Sequence, residues 1–152
     1  MSHEAIIDQL NECLKHEWTG VAQYSQASFI VEGFWREVYA ETFMENAEES
    51  FGHAKLVGEK IVALGGIPAA TRNEIKQTRD LKQMLENSLA FESKAVEMYG
   101  KALEMAEEIN DRPLVIFLEN ILEEEQEGVD EFTKLLRNSD AASSSSADAK
   151  SA

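Results

Sequence analysis

The chain has 152 residues, a length typical of one domain, with 29 acidic and 14 basic residues and a net charge of −15. This acidic balance argues against binding to nucleic acid or to an anionic membrane, because both need clustered Lys and Arg. Hydrophobic residues make up 43% of the chain, which is enough for a core. The single Cys13, with no signal-peptide pattern and no apolar stretch of membrane-spanning length, predicts a soluble cytoplasmic protein.

Glycine and proline divide the chain into four long segments with helical periodicity. The predicted helices run from about Glu4 to Val31, from Trp35 to Leu64, from Leu81 to Ile109 and from Leu114 to Arg137. The second ends at a Gly-Gly-Ile-Pro stop signal, and Pro113 opens the fourth. Two of the connections are short and one, at 69–80, is long. This order predicts that residues 1–137 form an all-α four-helix bundle, in which two antiparallel hairpins are joined by a crossover. The Ser/Ala-rich residues 138–152 are predicted to be a disordered tail.

Residues three and four apart share a helix face, so the inward-facing stripe of each helix can be derived from the spacing. Each stripe is apolar apart from a few polar positions, and each carries one strong metal-ligand side chain near its middle. The four stripes are Leu10, Leu14, Glu17, Val21, Tyr24 and Ser28; Phe43, Asn46, Ser50, His53, Val57, Ile61 and Leu64; Leu81, Leu85, Leu89, Glu92, Val96, Tyr99 and Leu103; and Leu114, Leu118, Ile121, Leu122, Glu125, Val129, Phe132 and Leu136.

Glu17, His53, Glu92 and Glu125 are therefore candidate metal ligands. Buried carboxylates are costly unless they are paired or bind a cation, and three of them beside one imidazole suit iron or manganese better than a thiolate zinc site. Two plainer interpretations stay open. An abundant residue such as Glu occurs on a stripe by chance, and a single inward His is more often a hydrogen-bonded core residue than a ligand.

Several short motifs, taken in order and spacing, resemble bacterioferritins of the ferritin-like superfamily over about residues 6–136. The motifs are Leu10-Asn11, Glu17 and Ala22-Gln23-Tyr24; His53-Ala54-Lys55, Glu59-Lys60-Ile61 and Leu64-Gly65-Gly66-Ile67-Pro68; Leu89-Ala90-Phe91-Glu92; and Leu118-Glu119-Asn120-Ile121-Leu122 with Glu123-Glu124-Glu125. The resemblance implies a ferritin-like bundle that binds one or two iron ions per subunit, with manganese as an alternative.

The family pattern has a Glu on helices one and three and a Glu-x-x-His pair on helices two and four, and this sequence departs from it twice. Ser50 stands where the second-helix Glu is expected, and Gly128 stands where the fourth-helix His is expected. Glu49 is a candidate substitute ligand that would reach inward through a local helix distortion, although a solvated Glu49 is an equal alternative. Glu124 is more simply a surface residue. Gly128 either leaves an open position for water or dioxygen or allows close helix packing.

The resemblance implies iron(II) oxidation by dioxygen or peroxide, with storage of the product in a homo-oligomer, at a site weakened by the two missing ligands. Tyr24 is a candidate catalytic residue that donates a hydrogen bond or an electron near the metals, with core packing as the plainer alternative. Haem is not expected, because Phe51 replaces the Met that binds it in bacterioferritins. Two alternative functions remain: a catalytically degenerate subunit with a structural or partner role, and a rubrerythrin-like dimetal oxidase.

Overall fold

The computed structural model describes residues 3–137, which form four helices: α1 (Glu4–Ile30), α2 (Arg36–Ala63), α3 (Leu81–Glu108) and α4 (Arg112–Leu136). The four predicted segments are confirmed, with ends that differ by one or two residues. The predicted disordered tail lies outside the described residues. Among the described residues, no helix is long and apolar enough to cross a membrane.

Local sequence signals account for the helix ends. Asp80 and Asp111 cap the starts of α3 and α4, where their carboxylates accept hydrogen bonds from the backbone N–H groups of Gln83 (2.9 Å) and Leu114 (3.1 Å). The cap at Asp111 explains why α4 begins two residues earlier than predicted. After α2, Gly65 adopts a φ of 95°, a left-handed conformation that glycine accepts without steric cost.

The helices pack as two hairpins. α1 lies along α2, α3 lies along α4, and α1 also faces α3. The crossover between α2 and α3 is held against α1 by side chains of that helix. Trp18 Nε1 donates to the carbonyl of Ala69 (3.0 Å), and the side chain of Gln23 accepts from the backbone N–H of Lys76 (2.9 Å). The long connection is therefore held along α1 by these hydrogen bonds.

The core consists of two apolar clusters, one on each side of a polar layer. One cluster contains Leu10, Leu14, Val57, Ile61, Tyr99 and Leu118, and the other contains Tyr24, Phe43, Phe91 and Phe132. In each helix the candidate ligand lies between the residues that enter one cluster and those that enter the other. All residues of the four predicted stripes are buried or half-buried, which confirms the predicted helix faces.

Candidate metal centre

The polar layer brings one ionisable side chain from each helix into the middle of the bundle. Glu17 of α1, His53 of α2, Glu92 of α3 and Glu125 of α4 are 1–6% exposed. Three of them, Glu17, His53 and Glu125, offer ligand atoms that lie within 4.8 Å of one another. We call these three residues the inner triad.

His53 is the centre of the inner triad. Its Nδ1 lies 2.8 Å from Glu125 Oε1 and 3.5 Å from Glu17 Oε2. Both carboxylate oxygens of Glu17 lack a hydrogen-bond partner among the described residues, although the residue is only 1% exposed. A buried carboxylate that has this one contact with His53 and no hydrogen bond is costly, and a cation bound between its oxygens and the imidazole would remove that cost. The donor set of the inner triad therefore fits a divalent metal ion.

While no metal is bound, the surroundings of the inner triad favour the protonated forms of its side chains. Burial raises the pKa of Glu17, and it raises the pKa of Glu125 to about 7. Burial alone would lower the pKa of His53, but the hydrogen bonds and charges of Glu125 and Glu17 outweigh it and raise that pKa to about 12. A metal ion that binds here must therefore displace protons from its ligands.

Glu92 lies beside the inner triad and is held by different contacts. Tyr24 donates a hydrogen bond to Glu92 Oε1 (2.7 Å). The carboxyl group also packs on Gly128, where an added Cβ would come within 2.9 Å of Glu92 Cδ. Burial, together with Glu125, raises the pKa of Glu92 well above its usual value. The space at Gly128 is thus filled by Glu92, and the interpretation of Gly128 as an open position for water or dioxygen is wrong for this arrangement.

A second group of ligand atoms lies on the outer side of His53. His53 Nε2 is 2.5 Å from Glu124 Oε2, and Glu49 contributes a third atom within 4.8 Å. The local distortion expected to bring Glu49 inward does not occur, because α2 is α-helical along its whole length. Glu49 instead reaches His53 from the exposed side. We call Glu49, His53 and Glu124 the outer triad.

Ser50 occupies a tight contact between α1 and α2. It is buried, and its hydroxyl lies against Gly20, where an added Cβ would also come within 2.6 Å of the Phe91 ring. Ser50 therefore offers no carboxylate at the position where the family pattern has a Glu.

Two residues of this region do not stand out in the sequence. The sequence pattern predicts a surface position for Glu124, which is 54% exposed, but its carboxylate reaches His53. The pattern places Tyr99 only on the inward stripe, whereas its buried hydroxyl lacks a hydrogen-bond partner among the described residues. The equal spacing of Glu17 to Tyr24 and of Glu92 to Tyr99 was the available signal for Tyr99.

A four-helix bundle with a long crossover and a buried carboxylate–histidine centre is typical of ferritin-like proteins. The ferritin-like domain of the Ferritin family matches residues 7–142, so the chain belongs to the ferritin-like family.

Similar proteins include the bacterioferritin of Mycobacterium leprae, 26% identical over 126 residues that cover 82% of this chain and 79% of that protein. The nutrient stress-induced DNA-binding protein of a Nostoc species is 30% identical over 112 residues, 66% of this chain and 60% of that protein. A crystal structure described as ferritin-like, diiron-carboxylate proteins from Bacillus anthracis superposes with a TM-score of 0.87 at 32% identity, covering 90% of this chain and all of that one.

Proposed function

We propose that this protein binds iron(II) inside the bundle and oxidises it, with the inner triad as the first metal position. The observation that carries the proposal is the Glu17 carboxylate, which is buried beside His53 and Glu125 with neither oxygen hydrogen-bonded to a described residue. Oxygen and imidazole donors suit iron, with manganese as the alternative. The diiron-carboxylate description of the Bacillus anthracis protein supports the same metal.

The second metal position is proposed at the outer triad. Glu49 and Glu124 place two exposed carboxylates beside His53 Nε2, on the side of the imidazole away from the inner triad. One neutral imidazole has a single free lone pair, so it serves one position at a time. We therefore expect strong binding of one ion and weak binding of a second.

Iron is the substrate and the source of electrons in this proposal. Two iron(II) ions supply two electrons, which together with two protons reduce dioxygen to hydrogen peroxide or hydrogen peroxide to water. The protein binds and positions the ions. Glu17, His53 and Glu125 bind the first ion, and Glu92 lies beside them, oriented by its hydrogen bond from Tyr24. Tyr24 keeps its proposed role as hydrogen-bond or electron donor.

Storage of the oxidised iron requires an assembly, and we propose that the chain forms a homo-oligomer. Exposed apolar side chains support this, because Phe34 is 91% exposed and Trp35 and Phe51 are about half exposed. The net charge of −15 supports a partnership with cations and with neither nucleic acid nor membranes. DNA binding, which the name of the Nostoc relative states for that protein, is not part of the proposal.

A catalytically degenerate subunit is the second candidate function, and Ser50 and Gly128 favour it. Neither residue offers a ligand of the kind that the family pattern has at its position, and Glu92 fills the space at Gly128. In that case the chain would bind metal weakly and act as a structural partner.

Crystals soaked anaerobically in iron(II) and measured at the iron absorption edge distinguish the two functions. We expect one well-occupied ion at the inner triad and a partly occupied one at the outer triad. Glu17→Gln should abolish the inner peak, whereas the control Glu104→Gln, an exposed acid on the same bundle, should retain it. An absence of iron at the inner triad in the unmodified protein would reject the proposal and favour the degenerate subunit.

A further inference from the structure

A polar pocket lies between α1, α3 and the crossover that joins α2 to α3. Residues of all three elements line it, among them Gln23 of α1, Lys76 of the crossover and Lys94 of α3. Its volume is about 160 Å³, several times the roughly 30 Å³ that one water molecule occupies in the liquid. No residue of the inner or outer triad lines it, so it is separate from the candidate metal centre. We call it the crossover pocket.

The charges that line the crossover pocket are mostly positive, in contrast to the chain as a whole. Lys76 and Lys94 contribute two positive charges and Glu74 one negative charge, whereas the whole chain carries −15. The ammonium group of Lys76 has no ion pair or hydrogen bond with a described residue. Lys94 pairs only with Glu97, at 3.6 Å on the exposed surface, and such a pair contributes little. Both ammonium groups are therefore available to an anion.

Buried and half-buried amide groups add hydrogen-bond donors to the crossover pocket. Gln23 is 7% exposed, and its Oε1 accepts from the backbone N–H of Lys76 at 2.9 Å. This bond fixes the orientation of the amide and leaves its NH₂ group without a partner among the described residues. Asn87 is arranged in the same way, because its Oδ1 accepts from Gln83 Nε2 at 2.9 Å. Two amides with occupied acceptors and unused donors favour a ligand that accepts hydrogen bonds.

The remaining walls of the crossover pocket are held in place by their own contacts. The ring of His16 stacks on the ring of Phe91, with centroids 3.9 Å apart. Its Nε2 donates to the carbonyl of Phe91 at 2.9 Å, since a carbonyl oxygen can only accept. On the other wall, Thr19 Oγ1 accepts from the backbone N–H of Asn73 at 2.9 Å and so holds the crossover. A pocket with fixed walls binds a ligand at a lower cost in conformational entropy.

We propose that the crossover pocket binds a small tetrahedral oxyanion of the phosphate class. The ammonium groups of Lys76 and Lys94 and the amide of Gln23 come from three elements, and a tetrahedral anion presents acceptor oxygens in four directions. Hydrogen bonds from ammonium groups to an anion are shorter and stronger than neutral ones. A divalent cation is not favoured, because Glu74 is the one acidic residue of the described chain that lines the pocket. The proposal does not depend on the proposed metal-binding function.

Titration of the metal-free protein with inorganic phosphate at low ionic strength, followed by calorimetry, tests the proposal. We expect saturable binding to a single class of sites. Lys76→Gln should weaken this binding by about tenfold or more, because it removes a charged hydrogen-bond donor. The control Lys101→Gln removes the same charge from an exposed position about two turns beyond Lys94 on α3, and it should leave the affinity nearly unchanged. A lack of saturable binding, or equal losses in the two variants, would overturn the proposal.

Gln23→Glu tests the buried amide with little change in volume. The new carboxylate still accepts from the backbone N–H of Lys76, but it replaces the NH₂ donor by a negative charge. We expect phosphate binding to be lost while the melting temperature in phosphate-free buffer stays close to that of the unmodified protein. Phosphate affinity that is unchanged in a folded Gln23→Glu variant would contradict the proposed site.

Arsenate locates the site in the unmodified protein, independently of any variant, because it is a tetrahedral oxyanion whose arsenic has its own absorption edge. Crystals soaked in arsenate should show an anomalous peak in the crossover pocket beside Lys76 and Gln23. Peaks confined to other parts of the protein would disprove the assignment. Glycerol 3-phosphate then distinguishes the source of the phosphate group. Tighter binding than inorganic phosphate assigns the pocket to a phosphate monoester, and weaker binding assigns it to the free ion.

Discussion

Gly128 lies against the Glu92 carboxyl group, so replacing this glycine by alanine perturbs the site through one added methyl group. The new Cβ would stand 2.9 Å from Glu92 Cδ and 3.0 Å from Oε2, whereas ordinary contacts are 3.4–4 Å. The carboxyl group must therefore retreat, and by about 0.5 Å, the difference between 3.4 and 2.9 Å, if it is to reach ordinary contact. Since Tyr24 donates to the same carboxyl group at 2.7 Å, that retreat stretches or misaligns this buried hydrogen bond.

The magnitude follows from two opposing effects. A buried polar group that loses its partner costs about 1–3 kcal/mol, and alanine in place of glycine stabilises a helix by up to about 1 kcal/mol. Gly100 on α3 is the matched control, because an added Cβ there meets open space and brings only the helix gain. Gly128→Ala should therefore be less stable than Gly100→Ala, by up to about 3 kcal/mol if the hydrogen bond is lost, at about 2–4 °C of melting temperature per kcal/mol.

Thermal unfolding of both metal-free variants, followed by circular dichroism at equal concentration, measures this difference. In a Tyr24→Phe background the hydroxyl is already gone, so Gly128→Ala should lose most of its penalty. A Gly128→Ala variant as stable as Gly100→Ala would refute the reasoning that the hydrogen bond between Tyr24 and Glu92 depends on the absence of a side chain at position 128. The same reasoning predicts that a histidine at position 128 would displace Glu92, so it would not simply add a ligand.

The remaining predictions concern protons, packing, haem and assembly. Since the pKa of His53 is about 12 and that of Glu125 about 7, protons compete with the metal for these ligands. The affinity for Co²⁺ should therefore rise with pH, by about tenfold per pH unit for each proton released. Calorimetry in buffers of different ionisation enthalpy counts the released protons, and a pH-independent affinity would contradict this prediction. Gly20→Ala should lower stability by about 1–3 kcal/mol through overpacking, whereas Gly52→Ala, in open space, should not; equal melting temperatures would reject the contact. Reconstitution with haemin should give no bis-methionine absorbance band, because Phe51 replaces the methionine; a stoichiometric band would disprove it. Light scattering should find an oligomer at micromolar concentration, and a monodisperse monomer would exclude a storage assembly.

The helices and the polar layer could be predicted from the sequence because both depend on local patterns. The Asp caps, the Gly-Gly-Ile-Pro stop and the spacing of apolar residues define where each helix lies and which face is buried. That spacing also places Glu17, His53, Glu92 and Glu125 on the inward faces, and all four are buried there. A helix face is determined by neighbours within two turns, which the sequence contains in full.

The contacts within that layer were decided only by the tertiary structure. Whether a carboxylate reaches His53 depends on the offset between helices and on side-chain rotamers, so Glu125 and the exposed Glu124 both contact the imidazole while Glu92 is drawn to Tyr24. In the sequence, Gly128 indicates a missing ligand. In the bundle, the absence of a side chain at this position leaves the space that the Glu92 carboxyl group occupies. Periodicity defines the direction of a side chain from its own helix, and the partner it meets depends on how the other helices pack against it.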